Sequence, residues 1–84
     1  MAKELVGRIT HYYDKIQVAV IELSGRLKEG DSISIEKDGQ AFEQKAESMQ
    51  IDRKPVKEAK KGEAIGMKVM QAVKQGFEVY KIVD

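Results

Sequence analysis

His11 is the only imidazole in this 84-residue chain, and there is no cysteine. Acyl transfer needs a nucleophile with a positioned base, so His11 would have to act alone with Ser24, Ser32, Ser34 or Ser48. A metal centre wants several His, Cys or carboxylate ligands converging, and one His without thiols is a poor start. Neither G-x-x-x-x-G-K-[ST] nor a strand-borne G-x-G-x-x-G occurs, so no phosphate-cradling loop is expected. The residue types therefore predict a protein that is not an enzyme, with no catalytic residue, no metal, no cofactor and no nucleotide hydrolysis of its own.

Binding chemistry remains. His11, Tyr12 and Tyr13 form an aromatic triplet beside Lys15, and loop aromatics next to cations are how proteins stack unpaired bases. A second cluster, Arg53, Lys54, Lys57, Lys60 and Lys61, is interrupted by the acidic Glu58 alone. Formal net charge is only +1, far from the excess of a non-specific nucleic-acid binder, but it is unevenly spread. Residues 1–52 carry 7 basic and 10 acidic side chains, whereas residues 53–81 carry 8 and 3. The nine residues of the two clusters are thus the candidate RNA- or partner-binding set. Each also has a plain structural use. Lysines along a strand edge discourage aggregation, and one tyrosine can cap a core while the other lies on its rim.

These residues need a scaffold. Leu5, Gly7 and Ile9 share one face of a first strand, and His11 to Lys15 connect it to a second strand that ends at Leu23. Ser24 to Asp31 contains two glycines and reads as a sharp turn into Ser32 to Lys37, with Ile33 and Ile35 inward. Asp38-Gly39 between alternating segments is a strong signal for a tight primed hairpin. A strand from Gln40 to about Gln50 follows, its face changing near Ser48-Met49-Gln50-Ile51. Pro55 cannot donate a ladder hydrogen bond, which makes Ile51 to Val56 an edge strand or crossover. Glu63 to Gln75 fits a helix or a strand; Gly62, Gly66 and Gly76 favour a strand over Glu63 to Met70. Phe77 to Val83 is the last strand. No internal repeat or linker is evident, so the chain is expected to form one domain over residues 1–84.

Six or seven strands with frequent turns predict an all-β fold, a small closed antiparallel β-barrel, because closure removes exposed edges. Met49, Met67 and Met70 would fill gaps in its core. Residues 1–20 lack the apolar run of a signal peptide and no stretch approaches a membrane span, so the cytoplasm is the expected location.

The run Leu27-Lys28-Glu29-Gly30-Asp31-Ser32-Ile33 is followed by Phe42, Ser48-Met49-Gln50 and Ala59-Lys60-Lys61-Gly62-Glu63-Ala64-Ile65-Gly66. In order and spacing this resembles the second, barrel domain of translation GTPases such as elongation factor Tu. Together with Gly7 to Tyr13 and Val79 to Ile82 it is similar to free-standing elongation-factor-like proteins, from about Leu5 to Ile82. The resemblance implies a translation-associated barrel that binds rRNA or tRNA. The alternative is a protein-interaction barrel serving as accessory subunit of a larger enzyme or complex. The sequence sets no oligomeric state.

Overall fold

Alternating β-branched and polar residues do build strands here. The computed structural model describes residues 2–83, and among them there is no helix. In chain order the strands are β1 (Ala2–Tyr13), β2 (Val18–Leu23), β3 (Leu27–Lys28), β4 (Ser32–Lys37) and β5 (Gln40–Lys45). After them come β6 (Gln50–Ile51), β7 (Lys54–Pro55), β8 (Glu58–Ala59), β9 (Ala64–Lys68) and β10 (Glu78–Val83). The segment that fits either helix or strand is therefore a strand over Ala64–Lys68.

Eight strands form one antiparallel sheet in the order β5-β4-β10-β1-β2-β9-β6-β7, and β3 with β8 form a separate pair. The two end strands, β5 and β7, do not pair with each other, so the sheet is open and the expected closed barrel is not formed. The physical reason lies at both ends. β7 is two residues long and carries Pro55, which has no N–H to donate. Beyond β9 the chain from Val69 to Phe77 leaves the strand conformation, so β5 has no ladder partner on its outer side. Edges are handled by shortness, proline and charge rather than by closure.

The long β1 pairs with β10 on one side and β2 on the other, and its register shifts twice, between Leu5 and Gly7 and between Ile9 and His11. Each bulge breaks the period-two alternation. As a result Val6 and Ile9 are fully buried while Leu5 is 44% exposed, so Leu5 does not share the inward face with Ile9. The core also takes Ile21, Leu23, Leu27, Ile33, Ile35, Ile65, Val79 and Phe77, with Met49 and Met67 among them. Met70 is not a core residue: it is 79% exposed.

Two turns of the same design flank the β3–β8 pair. The stretch 27–33 and the stretch 59–65 both read apolar-Lys-x-Gly-acid-x-Ile. In the first, Gly30 has φ 93° and the Asp31 carboxylate accepts from Lys28 N at 2.9 Å. In the second, Gly62 has φ 92° and the Glu63 carboxylate accepts from Lys60 N at 2.8 Å. Each acid also donates its own N–H back to that lysine's carbonyl at 3.1 Å. A short internal repeat is thus present, and Leu27 pairs with Ala59 across it.

Candidate interaction surface

β1 delivers the aromatic triplet to one end of the sheet. Tyr12 pairs with Ala19 and packs against the core, whereas His11 and Tyr13, two residues apart, share the outer face. Their rings lie 4.5 Å apart at a 59° tilt, and Tyr13 is half exposed. Lys15 sits in the following turn, exposed.

The basic run is scattered over other places. Arg53 lies in the β6–β7 turn with φ 65°, beside Asp52 with φ 52°. Lys54 is on β7, and Lys57 offers its carbonyl to Glu29 N at 2.8 Å. Lys60 and Lys61 belong to the second acid-capped turn, where Gly62 N donates to Leu23 O at the end of β2. The aromatics stand at the other end of β2, opposite Val18 and Ala19. Five strand steps, about 17 Å, separate the two ends. The fold therefore does not gather the nine residues into one surface.

What it does assemble is a seam along β5, from residues that sequence reasoning passed over. The β4–β5 hairpin turns through Asp38 and Gly39, both at positive φ as a primed turn requires. Across from β5 runs the irregular segment after β9. Val69 N donates to Gln17 O at 3.0 Å, which draws the β1–β2 turn against that segment. Two open cavities result. One of about 540 Å³ is lined by Gln17, Gln44, Lys45, Lys68, Val69 and Met70, among others. Another of about 430 Å³ lies between Gln40, Ala41 and Phe42 on β5 and Gln71, Ala72 and Phe77 opposite.

Gln44 spans the seam. Its carboxamide donates to Lys68 O at 3.0 Å and accepts from Met70 N at 2.8 Å. Those are the two bonds that a strand residue makes to a parallel neighbour, so a side chain here stands in for a peptide unit. Met70, which lines the first cavity, is exposed. On the outer face of β4 and β10, Glu36 accepts from Lys3 and, at 2.6 Å, from the Ser34 hydroxyl. The Lys3 ammonium, then Ser34, hold the Glu36 carboxyl below its ordinary value, and the same bond raises Lys3. Only the alternating pattern of β5 could have hinted at this seam; the clasp by Gln44 joins residues 24 positions apart and has no local signature. Among the described residues no three His, Cys, Asp or Glu converge as a metal-ligand set, and no helix is long and apolar enough to cross a membrane.

No family model matches the chain. It is 45% identical over 76 residues to an uncharacterized protease of Methanocaldococcus jannaschii, a match that covers 89% of this chain. The chain spans about a fifth of that relative's length, 19%. Two crystal structures of the C-terminal domain of a Geobacillus thermoleovorans protein described as a U32 peptidase share the fold. One superposes with a TM-score of 0.88 at 16% identity, covering 95% of this chain and 93% of that one. The other, its selenomethionine variant, gives 0.85 at 15% identity, covering 90% and 96%. The chain thus resembles one segment of a protein named as a protease, and it shares the fold of the C-terminal domain of a protein described as a U32 peptidase. These likenesses overturn the resemblance to translation factors and, with it, the RNA-binding role that the resemblance implied.

Proposed function

We propose that this chain is an accessory interaction domain that works alongside a peptidase-like catalytic unit and supplies no catalytic group itself. The observation that carries this reading is one of proportion. A strong match to a protein named as a protease is confined to about a fifth of that protein, and the shared fold is that of a domain from a peptidase's C-terminal end. The residues agree with it. His11 is exposed, and its ring neighbour is Tyr13, which is no nucleophile partner for acyl transfer. The open cavities beside β5 are large enough for side chains of another polypeptide.

Three forms of the Methanocaldococcus relative test the proposal: intact, lacking the matched segment, and carrying this chain in its place. The expected result is that cleavage of a short-peptide library survives the deletion, while cleavage of unfolded casein falls and is restored by the graft. Loss of short-peptide cleavage in a deletion variant that circular dichroism shows to be folded would assign the segment a catalytic part. Equal cleavage of casein with and without it would remove the interaction role.

A further inference from the structure

Hydrogen-bond parity along β5 decides which of its backbone groups are free. Ala46 N donates to Asp31 O and Ala46 O accepts from Gly30 N, both at 2.8 Å, so Ala46 directs its backbone toward the β4 side. In an antiparallel ladder alternate residues point the same way. Gln40, Phe42 and Gln44 therefore bond to β4 across the pairs Lys37↔Gln40, Ile35↔Phe42 and Ile33↔Gln44. Ala41, Glu43 and Lys45 direct their N–H and C=O groups out of the sheet, where no strand receives them; the Lys45 carbonyl accepts from the Gln44 carboxamide alone, at 3.3 Å. Across the seam the backbones of Gln71, Ala72 and Val73 likewise enter no hydrogen bond among the described residues. Unpaired backbone thus faces the cavity of about 430 Å³ from both sides. At the cavity of about 540 Å³ the far wall is bonded, Lys68 O and Met70 N to the Gln44 carboxamide and Val69 N to Gln17 O, so a strand added along the whole edge displaces the Gln44 clasp.

We propose that the outer edge of β5 is an acceptor for one extended peptide segment of a partner polypeptide, added as an antiparallel strand. This deepens, and rests on, the accessory-domain reading. Charge selects the occupant. The outward side chains of the edge are Ala41, Glu43 and Lys45, all exposed, while Phe42 and Gln44 point inward and are half-buried. Directly opposed residues of an antiparallel pair interact, and opposite charges are favoured. A fitting segment therefore reads acid-apolar-base-apolar-small from its N-terminus, with the acid on Lys45, the base on Glu43 and an apolar residue beside Phe42 and Phe77. A second copy of this chain is the less suitable occupant. Strand-to-strand pairing over three outward residues buries far less than the roughly 1,200 Å² of a stable protein interface, whereas peptide addition works at modest affinity through main-chain bonds.

The probe is a labelled acetyl-Ser-Glu-Val-Lys-Val-Thr-amide, titrated against the full chain by fluorescence anisotropy. Saturable binding is expected, with nitrogen-edited NMR showing new protection at the amides of Ala41, Glu43 and Lys45 and none at Phe42 and Gln44. Methylating the peptide's lysine N–H should weaken binding about tenfold or more, because that group would donate to Glu43 O. Exchanging Glu and Lys within the peptide should cost roughly twofold to fivefold per mismatched pair, and the double variant E43K/K45E should reverse that preference. No saturable binding at millimolar peptide, or binding indifferent to N-methylation, overturns the proposal. Protection of the same three amides that rises with protein concentration alone assigns the edge to a second copy and overturns it too. Failure here, with the casein result intact, would leave the accessory role standing and this surface wrong.

Discussion

Gly7→Ala is predicted to destabilise the fold, although it adds only one methyl group. Gly7 is buried in β1, paired with Leu23 on one side and Val79 on the other. A Cβ built on it would lie 2.7 Å from Ile21 Cγ2, 3.0 Å from the Glu22 carbonyl oxygen and 3.3 Å from Leu23 Cδ2. The first contact is with a branched side chain locked in the core and the second is with backbone, so neither yields by a simple rotation. Overpacking of this kind costs about 1–3 kcal/mol. The alanine also loses less chain entropy on folding, which returns about 0.4–1 kcal/mol, and the net cost lies between about 0 and 2.6 kcal/mol, with its centre near about 1.3. Gly25→Ala is the control. Its Cβ would meet Val6 Cγ1 at 3.5 Å and the Leu5 carbonyl oxygen at 3.7 Å, which are ordinary contacts, and its φ lies outside the left-handed region. The same exchange there should be neutral or stabilising by up to about 1 kcal/mol. Urea unfolding followed by circular dichroism separates the two, since a domain this small has a slope of ~1 kcal/mol/M and each kcal/mol moves the midpoint by ~1 M. Midpoints shifted equally, or Gly25→Ala the worse of the pair, would refute the close approach of β1 and β2 at Gly7.

Gly30→Val should cost about 1–2 kcal/mol through strain alone, because φ is 93° while nothing lies within 4 Å of the added Cβ; an unchanged midpoint would reject the turn geometry. Gln44→Ala removes two hydrogen bonds across the seam and should destabilise by about 1–3 kcal/mol, with faster exchange of the Met70 amide as its local signature. Glu36 has a carboxyl pKa depressed chiefly by its hydrogen bond from Lys3, so its contribution is present above the unfolded value of 4.5 and is lost as pH falls through the lower folded value. Glu36→Gln should flatten the pH dependence of the denaturation midpoint below 4.5, and an unaltered profile would show the pair to be idle.

Much of the strand order was legible because it rests on local chemistry. Asp38-Gly39 demands a primed turn whatever surrounds it, and Pro55 marks an edge by lacking a donor. The glycine-punctuated segment resolved into a strand for the same reason. The face of β1 was not legible, since a bulge is invisible in a pattern where Leu5, Val6 and Ile9 are all apolar. Nor was the open seam, because an alternating strand such as β5 looks alike whether its outer edge is paired or free. The translation-factor resemblance misled through its most specific piece. Leu27 to Ile33 encodes a lysine–glycine–acid turn that the chain uses a second time at Ala59 to Ile65, so the motif reports a way of entering a strand and not a lineage. The candidate binding residues are not gathered into one patch, for a related reason. Closeness in sequence placed Arg53, Lys54, Lys57, Lys60 and Lys61 together, but a two-residue hairpin and an acid-capped turn point them to different places.

The peptide site requires β5 to be an open edge, and amide hydrogen exchange of the free chain at low concentration measures that directly. Exchange should alternate along the strand: slow at Phe42 and Gln44, whose N–H groups bond to β4, and fast at Ala41, Glu43 and Lys45, whose N–H groups face the seam. Uniformly slow exchange from Ala41 to Lys45 would mean that a strand already covers this edge, and would contradict both the open sheet and the peptide site proposed on it.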